Sequence, residues 1–433
     1  MNETVPAAKA GMNAERALPA RVQEALGELV GVAQEGLLAL SVGVGLGVLA
    51  ELMEEEVTEV VGLRGRHDPN RSAVRHGRRP GEVTLGGRRV GVERPRVRAV
   101  DGSGELELSV YRHFAERDPL SRIVLERMLA GVSCRRYGRV QEPVGDELET
   151  QARGVSKSAI SRTFIERTRQ ALGELMARRL DDVRLAVLML DGIDLKGRTC
   201  VVALGITSDG VKIPLGLWAG STENATVATA LLSDLIERGL DTTQGVLCVI
   251  DGSKALRKAI RDVLGERAPV QRCIRHKERN VLGHLPERDR ALVRRRLRAA
   301  WVEHHHDRAL ERLELLAGEL SRTHPGAAAS LREGMTETLT IQRLGITGSL
   351  TRTLASTNPI ESMIECVRRT ARNVKHWSSG EMCLRWTAAG MLEAEGQFRK
   401  IIGYRQLAKL AVAIERDLAL STTPKEVATL VPA

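Results

Sequence analysis

Residues 185–207 read LAVLMLDGIDLKGRTCVVALGIT. Two apolar runs flank Lys196-Gly197, a turn-favouring dipeptide, so the stretch predicts a pair of strands joined by a tight turn. VKIPLGLW (211–218) predicts a third strand after a second turn signal at Asp209-Gly210. NATVATALLSDLIERG (224–239) then has helical periodicity, and GVLCVI (245–250) is a short buried strand before another helix. Three strands in hairpin order followed by helix, strand and helix predict an α/β layer fold built on a mixed sheet.

One feature of the opening run resists a purely structural reading. Asp191 continues a strand, where an unpaired buried carboxylate is costly, so something must compensate it, and a bound cation is one candidate. Asp194 is the competing choice, but it lies three residues on, and alternation puts it on the opposite face. Asp251 ends the next apolar strand, where functional groups of α/β sheets gather; it also reads as a turn or N-cap residue before a helix. Glu361 opens the helix in STNPIESMIE (356–365). With Asn358 as N-cap and Pro359 at the first helical position, Glu361 falls where capping-box glutamates sit, so it too has a structural alternative. Three carboxylates on such a scaffold suit Mg²⁺ or Mn²⁺, and a pair of these ions favours in-line displacement at a phosphodiester.

The rest of the chain agrees with such a substrate. Its 433 residues imply several domains, 42% are apolar, and Lys+Arg exceed Asp+Glu by 65 to 55, a net charge of +10. Arginine, the bidentate phosphate ligand, supplies 54 of the 65 cations. The ten aromatic residues are too few for stacking platforms along a single strand. Six scattered cysteines offer no disulfide framework and fit reduced thiols. No stretch reads as a bilayer span or a signal peptide, so the expectation is a cytoplasmic protein without a membrane partner, nucleoid-associated if its partner is DNA.

The charge is concentrated. Residues 64–98 carry +8 and residues 271–298 carry +7. The first segment contains EVTLGGRRVGVERPRVR, whose alternation around Gly86-Gly87 predicts a hairpin, and GELELSVY (104–111) alternates as well. Together they predict a small basic β element over roughly 80–111 whose Arg88, Arg89, Arg94, Arg96 and Arg98 are candidate DNA contacts. Gly-Val-Ser occurs at 131–133 and at 154–156, each Ser a possible N-cap. The second opens a helix in which Ile160, Phe164, Leu172 and Leu175 share a face. The pair reads as a helix-turn-helix presenting Lys157, Ser158, Ser161 and Arg162, or alternatively as two packed helices.

LDGIDLKG (190–197), VIDGSKAL (249–256), VQRCIRHKERNV (270–281) and STNPIESMIE (356–365) together resemble the Mutator-type transposases of bacterial insertion sequences. The resemblance extends over most of the chain and implies an RNase H-like DDE catalytic domain interrupted by an all-α insertion. It implies Asp191, Asp251 and Glu361 as catalytic, metal-binding acids holding two Mg²⁺ or Mn²⁺ ions. Cys273 and His276 match its Cys-x-x-His signature. A zinc site there needs two more ligands, and no second Cys/His pair stands at matching spacing, so Cys273, His276, Arg279, Asn280 and Asn358 are read as active-site supports or DNA contacts. In the insertion Arg294, Arg295 and Trp301 are candidate DNA contacts. Trp301 would stack on a displaced base, or else pack between helices.

The implied organisation is a helical region (1–62), the basic β element (63–115), a helix-turn-helix-like domain (116–180), the catalytic core (181–275), the insertion (276–345), and the rest of the core with C-terminal helices (346–433). The implied activity is metal-dependent cleavage and strand transfer at the terminal inverted repeats of the element. The partners would be double-stranded DNA (element ends and target) and a second copy of the chain, with no small-molecule cofactor. The competing readings are an RNase H-like nuclease or resolvase, and a catalytically inactive DNA-binding regulator.

Overall fold

The computed structural model describes residues 38–66, 71–140, 153–154, 156–220, 224–265 and 268–422. The helical reading of residues 18–37, and the segment 141–152 between the two Gly-Val-Ser triplets, lie outside them. The chain divides into two compact units, Met1–Arg167 and Thr168–Ala433.

In the first unit α1 (Leu38–Val61) lays Leu49, Met53, Val57 and Val61 against a hairpin of β1 (Ala73–Leu85) and β2 (Arg88–Ala99). The spacing of those four residues is one helix face. Strand pairing is antiparallel, with Leu85 opposite Arg88 across a two-residue turn. Gly86 and Gly87 both have positive φ (59° and 76°), as that tight turn requires. Their N–H groups donate to the Asp118 carboxylate at 2.9 and 2.6 Å.

The β reading of 104–111 fails halfway. Only β3 (Glu105–Leu106) pairs with β2, and the chain then turns into α2 (Ser109–Glu116). The cause is distant in sequence. Glu56 on α1 accepts from the backbone N–H of Ser109 (2.7 Å) and Val110 (3.0 Å) and from the Ser109 hydroxyl (2.6 Å). A carboxylate on the orphan donors of a first turn favours helix over strand.

The two Gly-Val-Ser triplets behave differently. After α3 (Ser121–Leu129), Gly131 (φ 101°) and Val132 donate back to Met128 O (3.1 Å) and Arg127 O (2.9 Å). That is a Schellman motif, so the first triplet marks a helix end, and Ser133 is no α-helical N-cap. β4 (Arg153–Gly154) pairs with β2. Ser156 does cap α4 (Lys157–Ala177), accepting from Ala159 N at 3.2 Å. The buried stripe of α4 is Ile160, Phe164, Thr168, Ala171 and Leu175; Leu172 is only half-buried.

The second unit holds β5 (Leu185–Asp194), β6 (Thr199–Thr207), β7 (Lys212–Gly220), α5 (Ala225–Glu237), β8 (Leu247–Ile250), α6 (Lys254–Leu264) and β9 (Val270–Arg272). The sheet order is β7-β6-β5-β8-β9, with the first three strands antiparallel and β5, β8 and β9 parallel. Even-numbered Leu188 and Leu190 and odd-numbered Val201 and Ala203 share one face and pack on Leu231 and Leu235 of α5 and Leu256 and Ile260 of α6. Each such leucine contributes roughly 1.5–3 kcal/mol by leaving water.

Four helices follow: α7 (Ile274–Gly283), α8 (Glu287–Val302), α9 (His306–Thr323) and α10 (Pro325–Arg332). They enclose a core of their own around Leu297, Trp301, Leu313, Leu316 and Leu331. The chain returns through α11 (Thr340–Arg343) and α12 (Ser349–Leu354) to α13 (Asn358–Thr370), which packs on β5, and α14 (Gly380–Glu395), which packs on β7. Among the described residues the last helix is α15 (Leu407–Thr422). No helix among the described residues is long and apolar enough to cross a membrane.

Candidate active site

The parallel pairing of β5 with β8 runs at a constant offset of 60 residues, Val187 with Leu247 through Met189 with Val249. Two further steps bring Asp251, just past the end of β8, level with Asp191. The 60-residue spacing between these acids is thus the sheet register itself. Strand alternation turns Asp191 away from Leu190 and the α5/α6 core, toward the face on which α13 packs. There Asp191, Gly192, Asp251, His276, Arg279, Asn358, Glu361, Ser362, Glu365 and Arg368 are among the residues lining one open cleft of about 630 Å³.

Asp194 does not line it. Asp194 is exposed, and its carboxylate accepts from Gly197 N at 3.0 Å, holding the Lys196-Gly197 turn. The alternation argument therefore separates the two aspartates as expected.

Glu361 is free of the capping role. Thr357, not Asn358, is the N-cap of α13, so Glu361 sits one position beyond a capping-box glutamate. The Thr357 hydroxyl donates to Glu361 Oε1 at 2.5 Å instead of capping a backbone N–H. The physical reason lies in Cys273, whose sulfur receives the Thr357 N–H at 3.4 Å and fixes the chain one residue before the expected start.

Cys273 follows β9 directly and is the N-cap of α7, which sets His276 on the first turn. Its N–H donates to Ile250 O at 2.8 Å, and the next N–H, of Ile274, donates to Ala355 O at 2.9 Å. Buried Lys277 anchors the helix, donating to Ser330 O and Glu333 O, each at 2.6 Å. Burial pulls the Lys277 ammonium down to about 8. His276 Nδ1 stands 3.7 Å from Glu361 Oε1 and 3.4 Å from Thr357 Oγ1.

The electrostatics are those of crowded like charges. The Asp191 carboxyl is pushed up to about 7, first by burial and then by the charge of Asp251, with Glu361 adding to it; the Gly192 N–H and His276 oppose the shift. The imidazole of His276 is raised by its hydrogen bond with Cys273, against burial, and by the charges of Asp251 and Glu361. Burial would lift the Cys273 thiol, but hydrogen bonds with His276 and Thr357 bring it below the ordinary thiol value. Cys273, His276 and Glu361 present one ligand atom each within 4.8 Å of one another.

The remaining sequence candidates sort unevenly. Arg279 lines the cleft and also a neighbouring groove, and Asn280 lines only that groove, with Gly283, His284 and Ser330. Trp301 is buried at 5% exposure, its indole N–H donating to Thr338 Oγ1 at 3.2 Å, so the packing alternative is the one adopted and no base can stack on it as it stands. Arg294 is exposed and paired with Glu278 at 3.3 Å, and Arg295 is exposed. In the hairpin Arg88 is buried and Arg94 lies 4.5 Å over the Tyr111 ring, so neither is presented. Arg96 is held by Glu105 at 3.0 Å and Arg89 lies 3.2 Å from Glu82, while Arg98 is exposed. On α4 Lys157, Ser158 and Arg162 are exposed and Ser161 is half-buried.

Thr357, Ser362, Glu365 and Arg368 are among the site residues that escaped the sequence reading, with Gly192 and Ile364 also on the cleft. Glu361, Glu365 and Arg368 stand at i, i+4 and i+7, one stripe of α13, a signal that was there to be used.

A family model described as "Transposase, Mutator family" matches residues 33–400. The chain is 25% identical over 373 residues to the transposase of insertion sequence element IS256 in transposon Tn4001 from Staphylococcus aureus, covering 82% of this chain and 91% of that one. It is 27% identical over 349 residues to the transposase of element ISRM5 from Rhizobium meliloti, covering 80% and 85%. A probable insertion-sequence transposase from Corynebacterium diphtheriae is 30% identical over a shorter 190 residues, 44% of this chain and 54% of that one. With the match spanning the sheet, the helices α7–α10 and the helix that carries Glu361, the chain belongs to the Mutator family of insertion-sequence transposases.

Proposed function

We propose that the cleft cuts and joins DNA strands at the ends of an insertion sequence, with Asp191, Asp251 and Glu361 as its catalytic acids. The observation that carries this is the convergence of three carboxylates from two adjacent parallel strands, one of them just past its strand's end, and a facing helix, with burial first and the neighbouring charges second raising Asp191 to about 7. The strand order β7-β6-β5-β8-β9, antiparallel then parallel, supports an RNase H-like reading of the sheet.

The donor set fits the ions this reading implies. The three acids offer only oxygen ligands, and their mutual repulsion is what divalent cations offset. Two Mg²⁺ or Mn²⁺ ions held by Asp191, Asp251 and Glu361 would supply Lewis acidity to the phosphodiester and to its attacking oxygen. The residues of the chain do the rest. Arg279 on α7 and Arg368 on α13 line the cleft walls and suit the phosphate oxygens on either side of the cut. Asn358 offers a neutral amide at the rim. Thr357 holds the Glu361 carboxylate by its hydroxyl. The exposed residues Arg89 and Arg98 of the hairpin and Lys157, Ser158 and Arg162 of α4 are the contacts proposed for the terminal repeats. DNA ends act in pairs in such a reaction, so the working unit is proposed to be a homodimer on DNA.

The test incubates the protein with Mg²⁺ and DNA carrying the element's two ends. Nicks at the ends followed by joined products are expected. Nicking without joining would turn the reading to a nuclease, and binding without nicking to a regulator.

A further inference from the structure

We propose that Cys273, His276 and Glu361 form a second kind of metal site, selective for zinc-like ions, whose occupation switches the enzyme off by taking Glu361 from the catalytic set. The inhibitory consequence rests on Glu361 being a catalytic ligand, as proposed above; the binding itself does not.

Sequence spacing alone argues against zinc, because Cys273 and His276 lack further ligands nearby in the chain. The fold supplies one from 85 residues downstream of His276, as α13 brings Glu361 Oε1 to 3.7 Å from His276 Nδ1. In a tetrahedral zinc site the metal–ligand lengths put neighbouring ligand atoms roughly 3.3–3.8 Å apart. The His–Glu pair already meets that. The remaining pairs, all within 4.8 Å, need closure of at most about 1 Å, within reach of side-chain rotation.

The chemistry of the donors decides which ion. A sulfur and an imidazole favour zinc, cobalt or cadmium over magnesium, whereas the Asp191–Asp251–Glu361 set has oxygen donors only. Cys273 is fully buried, its sulfur within 4.8 Å of ligand atoms of His276 and Glu361, which line the cleft. A bound ion would thus have three protein ligands and an open position on the cleft side, the arrangement of an accessible zinc site. Binding replaces the thiol proton of Cys273 by the metal, and the proton leaves to solvent. The Thr357 N–H already supports the sulfur from behind, as supporting hydrogen bonds do for metal-bound thiolates. One carboxylate oxygen cannot serve a zinc-like ion here and the catalytic ions beside Asp191 in the same geometry, so the two occupancies compete.

The experiment has two arms on the full-length protein. Without DNA, Co²⁺ is titrated in, and a near-ultraviolet thiolate-to-cobalt absorption band is expected, saturating at one ion per chain. Zn²⁺ should displace it and millimolar Mg²⁺ should not. Cys273→Ser should abolish the band, and Glu361→Gln should weaken Zn²⁺ binding at least about tenfold. No band, or unchanged affinity in both variants, overturns the site; His276→Gln serves in place of Cys273→Ser if that variant does not fold. In the second arm, Mg²⁺-supported nicking should fall in step with Zn²⁺ occupancy and return on chelation. A filled site with undiminished nicking overturns the shared use of Glu361. If Mg²⁺ gives no nicking even without Zn²⁺, the catalytic reading fails, and the cobalt arm alone decides the metal site.

Discussion

In the β1–β2 hairpin the cations meet their counter-ions inside their own unit. Arg75 pairs with Glu54, Arg96 with Glu105 and Arg89 with Glu82, while Arg88 is buried and Arg94 rests on Tyr111. The cleft of the second unit does the reverse. Asp191, Asp251 and Glu361 converge there from β5, β8 and α13, and the nearest acid-to-base contact is that of His276 with Glu361. The hairpin has acidic partners for several of its arginines, whereas the cleft leaves charge uncompensated. A charge count along the chain ranks the hairpin first, and local compensation reverses the ranking. Uncompensated charge is what a site for cations or reacting groups has to keep.

The largest test of this contrast replaces an acid of the cleft. Asp191→Asn, Asp251→Asn or Glu361→Gln should each reduce strand cleavage by on the order of 10³-fold. In metal-free buffer at pH 8, Asp191→Asn should also raise the melting temperature by a few degrees, because a like charge is removed. A variant that cuts normally, or that melts earlier, would show that the crowding is structural. Replacing Asp194, which only holds a turn, should leave cleavage intact.

A smaller effect follows from pH. Asp191 is raised to about 7 and Asp118 to about 6, both mainly by burial. A carboxyl raised on folding contributes stability that is complete below its ordinary value of 3.8 and is lost as pH climbs through the folded value. Without divalent ions the protein should therefore lose on the order of several kcal/mol between pH 4 and 8, solvent in the cleft reducing the share due to Asp191. Mg²⁺ should restore the part due to Asp191 and leave the part due to Asp118, whose partners are the backbone N–H groups of Gly86, Gly87 and Leu120. Denaturant unfolding across that range, with and without Mg²⁺, separates them. Equal recovery in Asp191→Asn would assign the ion elsewhere.

Smaller again is the contribution of Thr357. Thr357→Val keeps the shape and removes the hydroxyl that steadies Glu361, so cleavage should fall about tenfold and more Mg²⁺ should be needed for half-maximal rate. Thr357→Ser should recover both. A loss of rate with unchanged Mg²⁺ dependence would make Thr357 a packing residue.

Much of this site was legible in the sequence, and the reasons for the rest are physical. Asp191 and Asp251 stood out because strands make position along the chain equivalent to position across the sheet. The alternation that divided Asp191 from Asp194 is local geometry and held. Glu361 needed its helix placed, and the N-cap moved by one residue because of Cys273, 84 residues earlier in the chain. Thr357 was invisible for the same reason. α2 was misread as strand because its decisive partner, Glu56, lies on another element. Trp301 read as a base-stacking contact or as a packing residue, and the helices α7–α10 build a core around it.

The smallest prediction returns to the hairpin and asks what its arginines do when they are not neutralised. Arg98 is exposed, and Arg88 is buried beside the turn held by Asp118. If the buried arginine serves the fold and the exposed ones serve DNA, Arg98→Ala should leave melting unchanged, weaken DNA binding a few-fold and lower the salt slope by about one. Arg88→Ala should do the converse, lowering the melting temperature while the salt slope of the folded protein stays the same. Binding measured over a salt series, with melting curves on the same samples, distinguishes them. If both variants lost DNA affinity with equal salt slopes, the division between structural and presented arginines would fail, and the hairpin would act on DNA as a diffuse positive surface.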